Sequence, residues 1–183
     1  RGRVWQGPYE FAGFDFKLTS RTDYLVQGPR DCLVFLSGEQ PEVTGSNYRD
    51  RAFAGRTSDG GARFKFLSWM TGEPLGVRSV MPATVRTAPN RLVSVMRRKV
   101  NVNRRDVNWL EASVSDDHGT SWRFLSRVAE TDRGGTNGKP PALLALQDGR
   151  LVVAYGYSSK PFGIRVKLSA DGGWTWAEEL SLW

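Results

Sequence analysis

Arg21, Asp23, Arg86, Arg97, Arg165 and Tyr157 are the side chains of this 183-residue sequence best suited to hold an acidic or densely hydroxylated small molecule. A guanidinium offers a planar fork that bonds a carboxylate through two parallel hydrogen bonds, and one Asp among several Arg holds such forks in place. Arg21, Asp23 and Arg86 fall in runs that read as strands packed toward the middle of the fold. A charge there is costly unless it is paired or functional. Arg97 follows the run Asn90-Arg-Leu-Val-Ser-Val-Met96, and Tyr155 and Tyr157 close an equivalent run further on. Arg165 and Glu111 occupy matching places, each four residues before a repeated serine. No Cys/His cluster has metal-ligand spacing, so neither a metal nor a cofactor is expected.

The elements that must position these residues announce themselves through a repeat. Thr57-Ser-Asp59-Gly-Gly61-Ala-Arg-Phe64, Ser115-Asp-Asp117-His-Gly119-Thr-Ser-Trp122 and Ser169-Ala-Asp171-Gly-Gly173-Trp-Thr-Trp176 share the form hydroxyl-x-Asp-x-Gly-x-x-aromatic. Their starts lie 58 and 54 residues apart, a period that signals stacked or radial repeats. Gly2-Arg-Val-Trp5 reads as the end of a fourth copy, which predicts a piece of a longer protein cut within a repeat. The pattern reads as a tight turn. The Asp carboxylate accepts from backbone N–H groups just after it, the Gly supplies a conformation that a Cβ penalises, and the aromatic anchors the turn. Asp59, Gly61, Asp117, Gly119, Trp122, Asp171, Gly173 and Trp176 are therefore expected to be structural. His118, at a variable position of the turn, is expected to be an exposed loop residue.

Aligned on these turns, each unit reads as four short strands. In the second unit they are Pro82-Ala-Thr-Val-Arg-Thr87, Arg91-Leu-Val-Ser-Val-Met96, Trp109-Leu-Glu-Ala-Ser-Val114 and Trp122-Arg-Phe-Leu-Ser-Arg-Val128. β-branched and aromatic runs joined by Pro-Asn and Asp-Gly turns are hairpin signals. Four strands in about 55 residues match one blade of a β-propeller. The predicted fold is all-β: about three four-stranded antiparallel blades of a six-bladed propeller, at residues 12–70, 78–128 and 140–183, with 1–11 ending a preceding blade. The first two strands of each unit carry the most apolar residues and are expected to be the most buried.

Composition agrees, with 7 Trp and 20 Gly. There is no run of 18 apolar residues to span a membrane. Cys32, the one cysteine, lies in an apolar run and is expected to be a small buried hydrophobe. The net charge of +7 suits an anionic partner, but no nucleic-acid module appears and none is expected to bind. Arg97-Arg98-Lys99 and Arg104-Arg105 form the densest basic patch and are expected to flank a solvated loop.

The three repeated turns resemble the Asp-box of the sialidase (neuraminidase) superfamily, also called the BNR repeat, and the resemblance covers essentially the whole chain. Ser20-Arg-Thr-Asp-Tyr24, Asp31-Cys-Leu-Val-Phe-Leu36, Phe66-Leu-Ser-Trp-Met70, Val80-Met-Pro-Ala-Thr-Val-Arg86, Tyr155-Gly-Tyr157 and Gly163-Ile-Arg165 are similar to an uncharacterised bacterial branch of it. The resemblance implies retaining hydrolysis of a terminal sialic acid by a Tyr nucleophile, with a Glu that activates it, an acid/base Asp and three Arg on the substrate carboxylate. It makes Arg97 the best match to a substrate-binding Arg, and it implies a secreted or periplasmic protein. The Arg-Ile-Pro motif of sialidases has no counterpart in this sequence, and the nucleophile and acid/base are not identified in it.

Two functions follow as expectations. One is a sialidase-like glycoside hydrolase acting on terminal, acidic sugars of glycans. The other is an Asp-box propeller without catalysis that binds glycan or protein. In either case Arg21, Asp23, Arg86 and Arg97 are expected to converge at one mouth of the ring axis. The expected partners are a glycan or small sugar, and further blades of a parent chain or a second copy.

Overall fold

The protein, described here by a computed structural model, is defined at residues 4, 6–19, 23–40, 49–72, 76–134 and 138–182. Among these residues there is no helix. Three four-stranded antiparallel sheets follow one another along the chain. Sheet A is β1 (Asp23–Val26), β2 (Cys32–Glu39), β3 (Asp50–Thr57) and β4 (Lys65–Trp69). Sheet B is β5 (Val77–Ala88), β6 (Arg91–Val102), β7 (Arg105–Ser115) and β8 (Arg123–Glu130). Sheet C is β9 (Pro141–Ala145), β10 (Leu151–Tyr157), β11 (Gly163–Ser169) and β12 (Leu180–Ser181). Each sheet is a simple meander, and β5 lies between β1 and β9. The first strands of the three sheets therefore stand side by side.

Two apolar layers hold the sheets together. Leu33, Phe35, Ala52 and Ala54 of sheet A meet Leu92 and Met96 of sheet B. Val93, Val95, Leu110 and Ala112 of sheet B meet Leu143, Leu151, Val153 and Tyr155 of sheet C. Residues alternate faces along a strand, so β6 serves one layer with its even positions and the other with its odd ones. A third layer covers the far face of sheet A. There Phe14, Phe16 and Leu18 pack on Val34, Leu36 and Phe53, with both Phe rings within 5.0 Å of the Phe53 ring centroid. Gly38 and Gly55 make room for Phe16 and Phe14; a Cβ at either would overlap the ring. Cys32 is only half-buried beside this layer.

Two expectations change. In sheets A and B the second and third strands, not the first two, carry the burial, and in sheet C the second strand does; the first strands border an open cleft on one side. The basic patch also divides: Arg104 and Arg105 are exposed at the β6–β7 turn, as expected, but the run 97–99 is not solvated. β6 continues through Arg97, Arg98 and Lys99, which are 6%, 0% and 7% exposed. Tertiary partners make this possible. Arg98 Nη1 donates to Glu111 Oε1 at 2.5 Å, and Lys99 Nζ lies 2.6 Å from Asp106 Oδ2.

The repeated turns have one geometry. The leading hydroxyl of Thr57, Ser115 and Ser169 donates to the Asp Oδ1 at 2.8 Å each time. The same hydroxyl accepts from the N–H of Gly61, Gly119 and Gly173 at 2.9, 2.7 and 2.8 Å. Oδ1 then accepts from the backbone N–H of Arg63, Ser121 and Thr175. The glycines sit at φ +95°, +87° and +97°, and the residues before them, Gly60, His118 and Gly172, are also left-handed. The turn also reaches across sheets. Ser68 Oγ of β4 donates to Gly119 O at 2.6 Å, and Ser126 Oγ of β8 donates to Gly173 O at 2.5 Å. Trp176 Nε1 donates to Ser126 Oγ, and the Trp122 ring stands edge-on to Phe35. The turns of sheets B and C thus fasten each sheet to the preceding one.

Ser126→Ala removes both bonds at the B–C joint and leaves the buried Gly173 carbonyl unsatisfied. It is expected to cost about 1–3 kcal/mol in denaturant unfolding, against at most about 0.5 kcal/mol for a surface Ser→Ala. The turn carboxylates add a pH dependence. Hydrogen bonds from the Thr175 side chain and backbone hold Asp171 down at about 2, from an ordinary 3.8. For Asp117 burial works the other way, but the bonds from Ser121 and Ser115 outweigh it and lower its pKa. A depressed folded-state pKa stabilises fully above the unfolded value, and that contribution is lost as pH falls through the folded one. Thermal midpoints are expected to fall between about pH 4 and about pH 2, and Asp171→Asn should flatten that slope.

Candidate functional site

Where the first strands meet, a cleft of about 310 Å3 opens, lined by Asp23 of β1, Met81, Pro82 and Ala83 of β5, and residues 140–143 entering β9. One wall is a bulge. The β5–β6 register shifts between Val80 and Ala83, and Met81 takes φ +57°. A proline that cannot donate to the ladder is accommodated at such a bulge. A left-handed non-glycine residue costs on the order of 1–3 kcal/mol and persists where its surroundings fix it. Here the buried Ser37 accepts from Met81 N at 3.3 Å, and the buried Ser79 accepts from Ala52 N at 2.9 Å. The opposite wall is Pro140-Pro141, stiff by composition.

Asp23 supplies the charge. Its Oδ2 accepts from Thr84 N of β5 at 2.6 Å and its Oδ1 from Tyr24 N at 2.9 Å. Those two N–H groups fix the carboxylate at the cleft and leave lone pairs for a ligand. Asp23 is the only ionisable side chain among the described residues lining the cleft.

Arg97 stands behind the cleft. Its Nη1 donates to Gly138 O at 3.0 Å, two residues before Pro140. Its Nε is buried without a hydrogen-bond partner among the described residues. Burial pulls its pKa down, the like charge of Arg78 adds to that, and Asp50 and Asp132 oppose it. Gly138 is wedged: a Cβ there would come 2.6 Å from Thr131 Oγ1 and 2.8 Å from Asn108 Cβ. Asn108 Nδ2 in turn donates to Asp132 Oδ2 at 2.9 Å. Arg97, Gly138, Asn108 and Asp132 form one polar brace that holds the proline wall.

The other expected residues are dispersed. Arg21 lies outside the described residues. Arg86 does not turn to the cleft. Its Nη2 donates to Gln27 Oε1 at 2.6 Å, while Nη1 donates to Pro89 O and lies 3.3 Å from Nδ1 of the exposed His118. It staples sheets A and B at the repeated-turn end, and its neighbour across the ladder, Leu92, is five residues from Arg97, roughly 16 Å along β6. Arg165 sits 3.4 Å over the Tyr157 ring and bonds Glu179, which also accepts from the Tyr155 hydroxyl. Burial, and then Glu179, push the Tyr155 phenol far up. At neutral pH the phenol is therefore protonated and donates to the Glu179 carboxylate. Arg98–Glu111 fills the place in sheet B that Tyr157–Arg165 fills in sheet C.

Sequence reasoning missed the bulge, the brace and the proline wall. Met81-Pro82 inside a strand pattern and Gly138 before Pro140-Pro141 were the available signals. Among the described residues no group of three or more His, Cys, Asp or Glu could hold a metal ion.

This arrangement of sheets is known from solved structures. A protein of unknown function from Dyadobacter fermentans matches 99% of this chain with 49% of its own, at 18% identity and a TM-score of 0.70. The α-L-arabinofuranosidase of Fusarium graminearum, solved with arabinobiose, matches 93% with 51% of its own, at 14% identity and a TM-score of 0.64. Zg3597 of Zobellia galactanivorans, a family 117 glycoside hydrolase, matches 95% with 60% of its own, at 10% identity and a TM-score of 0.68. The three sheets share their fold with parts of these glycoside hydrolases. The chain spans about half the length of the first two. No protein-family profile and no curated protein matches the sequence. An α-L-arabinanase of Penicillium chrysogenum and an endo-arabinase of Bacteroides thetaiotaomicron are matched as well, over 91% and 93% of this chain.

Within this glycoside-hydrolase fold the brace is testable without a ligand. Gly138→Ala forces a methyl into Thr131 and Asn108 and is expected to cost about 1–3 kcal/mol. Chemical denaturation compared with Gly72→Ala, whose added Cβ meets nothing within 4 Å and whose backbone is likewise not left-handed, separates the clash from the loss of a glycine.

Proposed function

We propose that the cleft between β1, β5 and β9 binds a terminal sugar of a glycan and that the protein is part of a glycoside hydrolase. The observation that carries the reading is Asp23, a carboxylate fixed by the Thr84 N–H in a cleft whose other lining side chains are apolar. A fixed carboxylate accepts from sugar hydroxyls, and apolar flanks such as Ala83, Ala142 and Leu143 suit the faces of a sugar ring. Support for hydrolysis comes from the fold, shared with an arabinofuranosidase and a family 117 hydrolase.

Glycoside hydrolysis uses two carboxyl groups, one to protonate the leaving oxygen and one as base or nucleophile. Asp23 is suited to one of these tasks, and a second group must face it. An acidic sugar, as a sialidase of retaining mechanism takes, needs arginines at the cleft. Arg21, two residues before Asp23, is the candidate for that contact, and Arg97 acts through the wall rather than on the ligand. The presence of a single carboxylate along the described lining favours, as a second reading, a glycan-binding propeller without catalysis.

The test is a panel of fluorogenic glycosides that includes arabinofuranosides and sialosides, assayed with the wild type, Asp23→Asn and Arg21→Met. Cleavage of at least one glycoside is expected, with kcat/KM lowered at least about 100-fold in Asp23→Asn while the fold is kept. A loss confined to sialosides in Arg21→Met supports the acidic-sugar reading. Sugar binding without cleavage, weakened by Asp23→Asn, supports the second reading. An Asp23→Asn protein that matches the wild type in both binding and cleavage refutes the site.

A further inference from the structure

Among the described residues, Met81, Asn103, Arg104 and His118 are the non-glycine residues with left-handed backbones. Three of them sit where such a backbone is ordinary. Asn103 and Arg104 make the tight turn between β6 and β7, and His118 lies in a repeated turn. Met81 lies inside β5 and directly before Pro82, a position that favours an extended backbone. A glycine would take φ +57° freely there, and an asparagine with little strain. The surroundings impose this backbone from both sides. Val80 is fully buried and pairs with Arg97, and Met81 N donates to the buried Ser37 Oγ at 3.3 Å. Beyond the bulge, Thr84 N donates to Asp23 Oδ2 at 2.6 Å. A demand of the core does not explain the methionine either. Met70 and Met96 are fully buried in the layer between sheets A and B, whereas Met81 is half-buried and belongs to none of the three apolar layers. It lines the cleft. Strained residues of this kind cluster at ligand sites, where the side chain is what the position must supply.

We propose that Met81 is a specificity-determining residue of the cleft: its thioether chain packs on the C–H face of a sugar whose hydroxyls meet Asp23, and it excludes a ring with a bulky substituent on that face. The proposal rests on the reading of the cleft as a sugar site. Ala83 and Ala142 are short, and Pro140 and Pro141 form a stiff wall. Leu143 is 7% exposed and is used by the layer between sheets B and C. Met81 is therefore the one long apolar side chain along the described lining that is free to meet a ligand. Unbranched and polarisable, it can follow an irregular apolar surface. Its backbone cannot retreat, because the bulge and the Ser37 bond hold it. The gap between Met81 and the proline wall is then set by one side chain. In an apolar pocket a single added group changes affinity about 10-fold to 200-fold.

The test is calorimetric titration of the 183-residue chain with methyl α-L-arabinofuranoside, methyl β-galactoside, methyl N-acetyl-β-galactosaminide and methyl α-sialoside. The wild type is expected to bind one of the first two at least about 10-fold more tightly than either of the N-acetylated sugars. Met81→Gly should narrow that preference to within about 3-fold, and Met81→Leu, of similar volume and length, should keep it. The unfolding midpoint of Met81→Asn is expected to equal or exceed that of the wild type, because asparagine relieves the backbone; a methionine needed only for packing would lower it. A lowered midpoint, or a wild type that prefers the N-acetylated sugars, overturns the proposal. Binding lost in Asp23→Asn but with its preference unchanged in Met81→Gly overturns the role of Met81 and leaves the sugar site standing. A wild type that binds none of the four sugars, or binding that neither variant alters, overturns both.

Discussion

The hydrogen bond from a fourth-strand serine to the glycine carbonyl of the next repeated turn is the contact on which the rest of the structure depends. Sheets with apolar faces can slide over one another, because dispersion and hydrophobic burial are not directional. A hydroxyl to carbonyl bond is directional, and Ser68 to Gly119 and Ser126 to Gly173 set one sheet against the next at a single point. The carbonyl is available only because the turn before it is fixed. Its hydroxyl, carboxylate and left-handed glycine use local bonds to hold the backbone in a shape that an unrestrained chain would rarely adopt. Local chemistry thereby controls long-range geometry, and the cleft at the first strands is a result of that control.

Charge is handled differently. Arg98 is fully buried, and Arg97 and Lys99 nearly so, in a strand flanked by two apolar layers. Burying such groups contributes little stability even when they are paired, and removing a partner is expensive. Their value is in specificity of placement. Arg98 and Glu111 tie β6 to β7, Arg78 and Asp50 tie sheet B to sheet A, and Arg97 holds the loop that leads into β9. The basic character that suggests an anionic partner is in good part internal architecture.

The division between what was legible in the sequence and what was not follows the range of the interactions. The repeated turns and four-strand units could be read because hydroxyl, Asp, Gly and aromatic act within eight residues of one another. The extent of β6 could not be read, because Arg97-Arg98-Lys99 looks like a solvated loop until Glu111, Asp106 and Gly138 are brought beside it. Asp23 was legible as a charge on an inner strand, and its bond to Thr84, sixty-one positions away, was not. Arg86 shows the opposite failure. It lies on an inner strand as expected, but Gln27 and the Pro89 carbonyl draw its guanidinium to the other end. The cleft walls were missed because a bulge and a pair of prolines weaken the strand pattern from which they would be inferred.

One position shows how much freedom this scaffold leaves. At matching places in the second and third strands, sheet A has Gly38 with Phe16 laid over it, sheet B has the Arg98–Glu111 ion pair, and sheet C has Arg165 stacked on Tyr157. A void filled by a ring, a salt bridge and a stacked cation all fit one backbone frame. The turns and the apolar layers set the spacing of the sheets, so such a position can vary without distorting its neighbours. Sheets of one frame can therefore differ in chemistry at this position while keeping the same register and the same repeated turn.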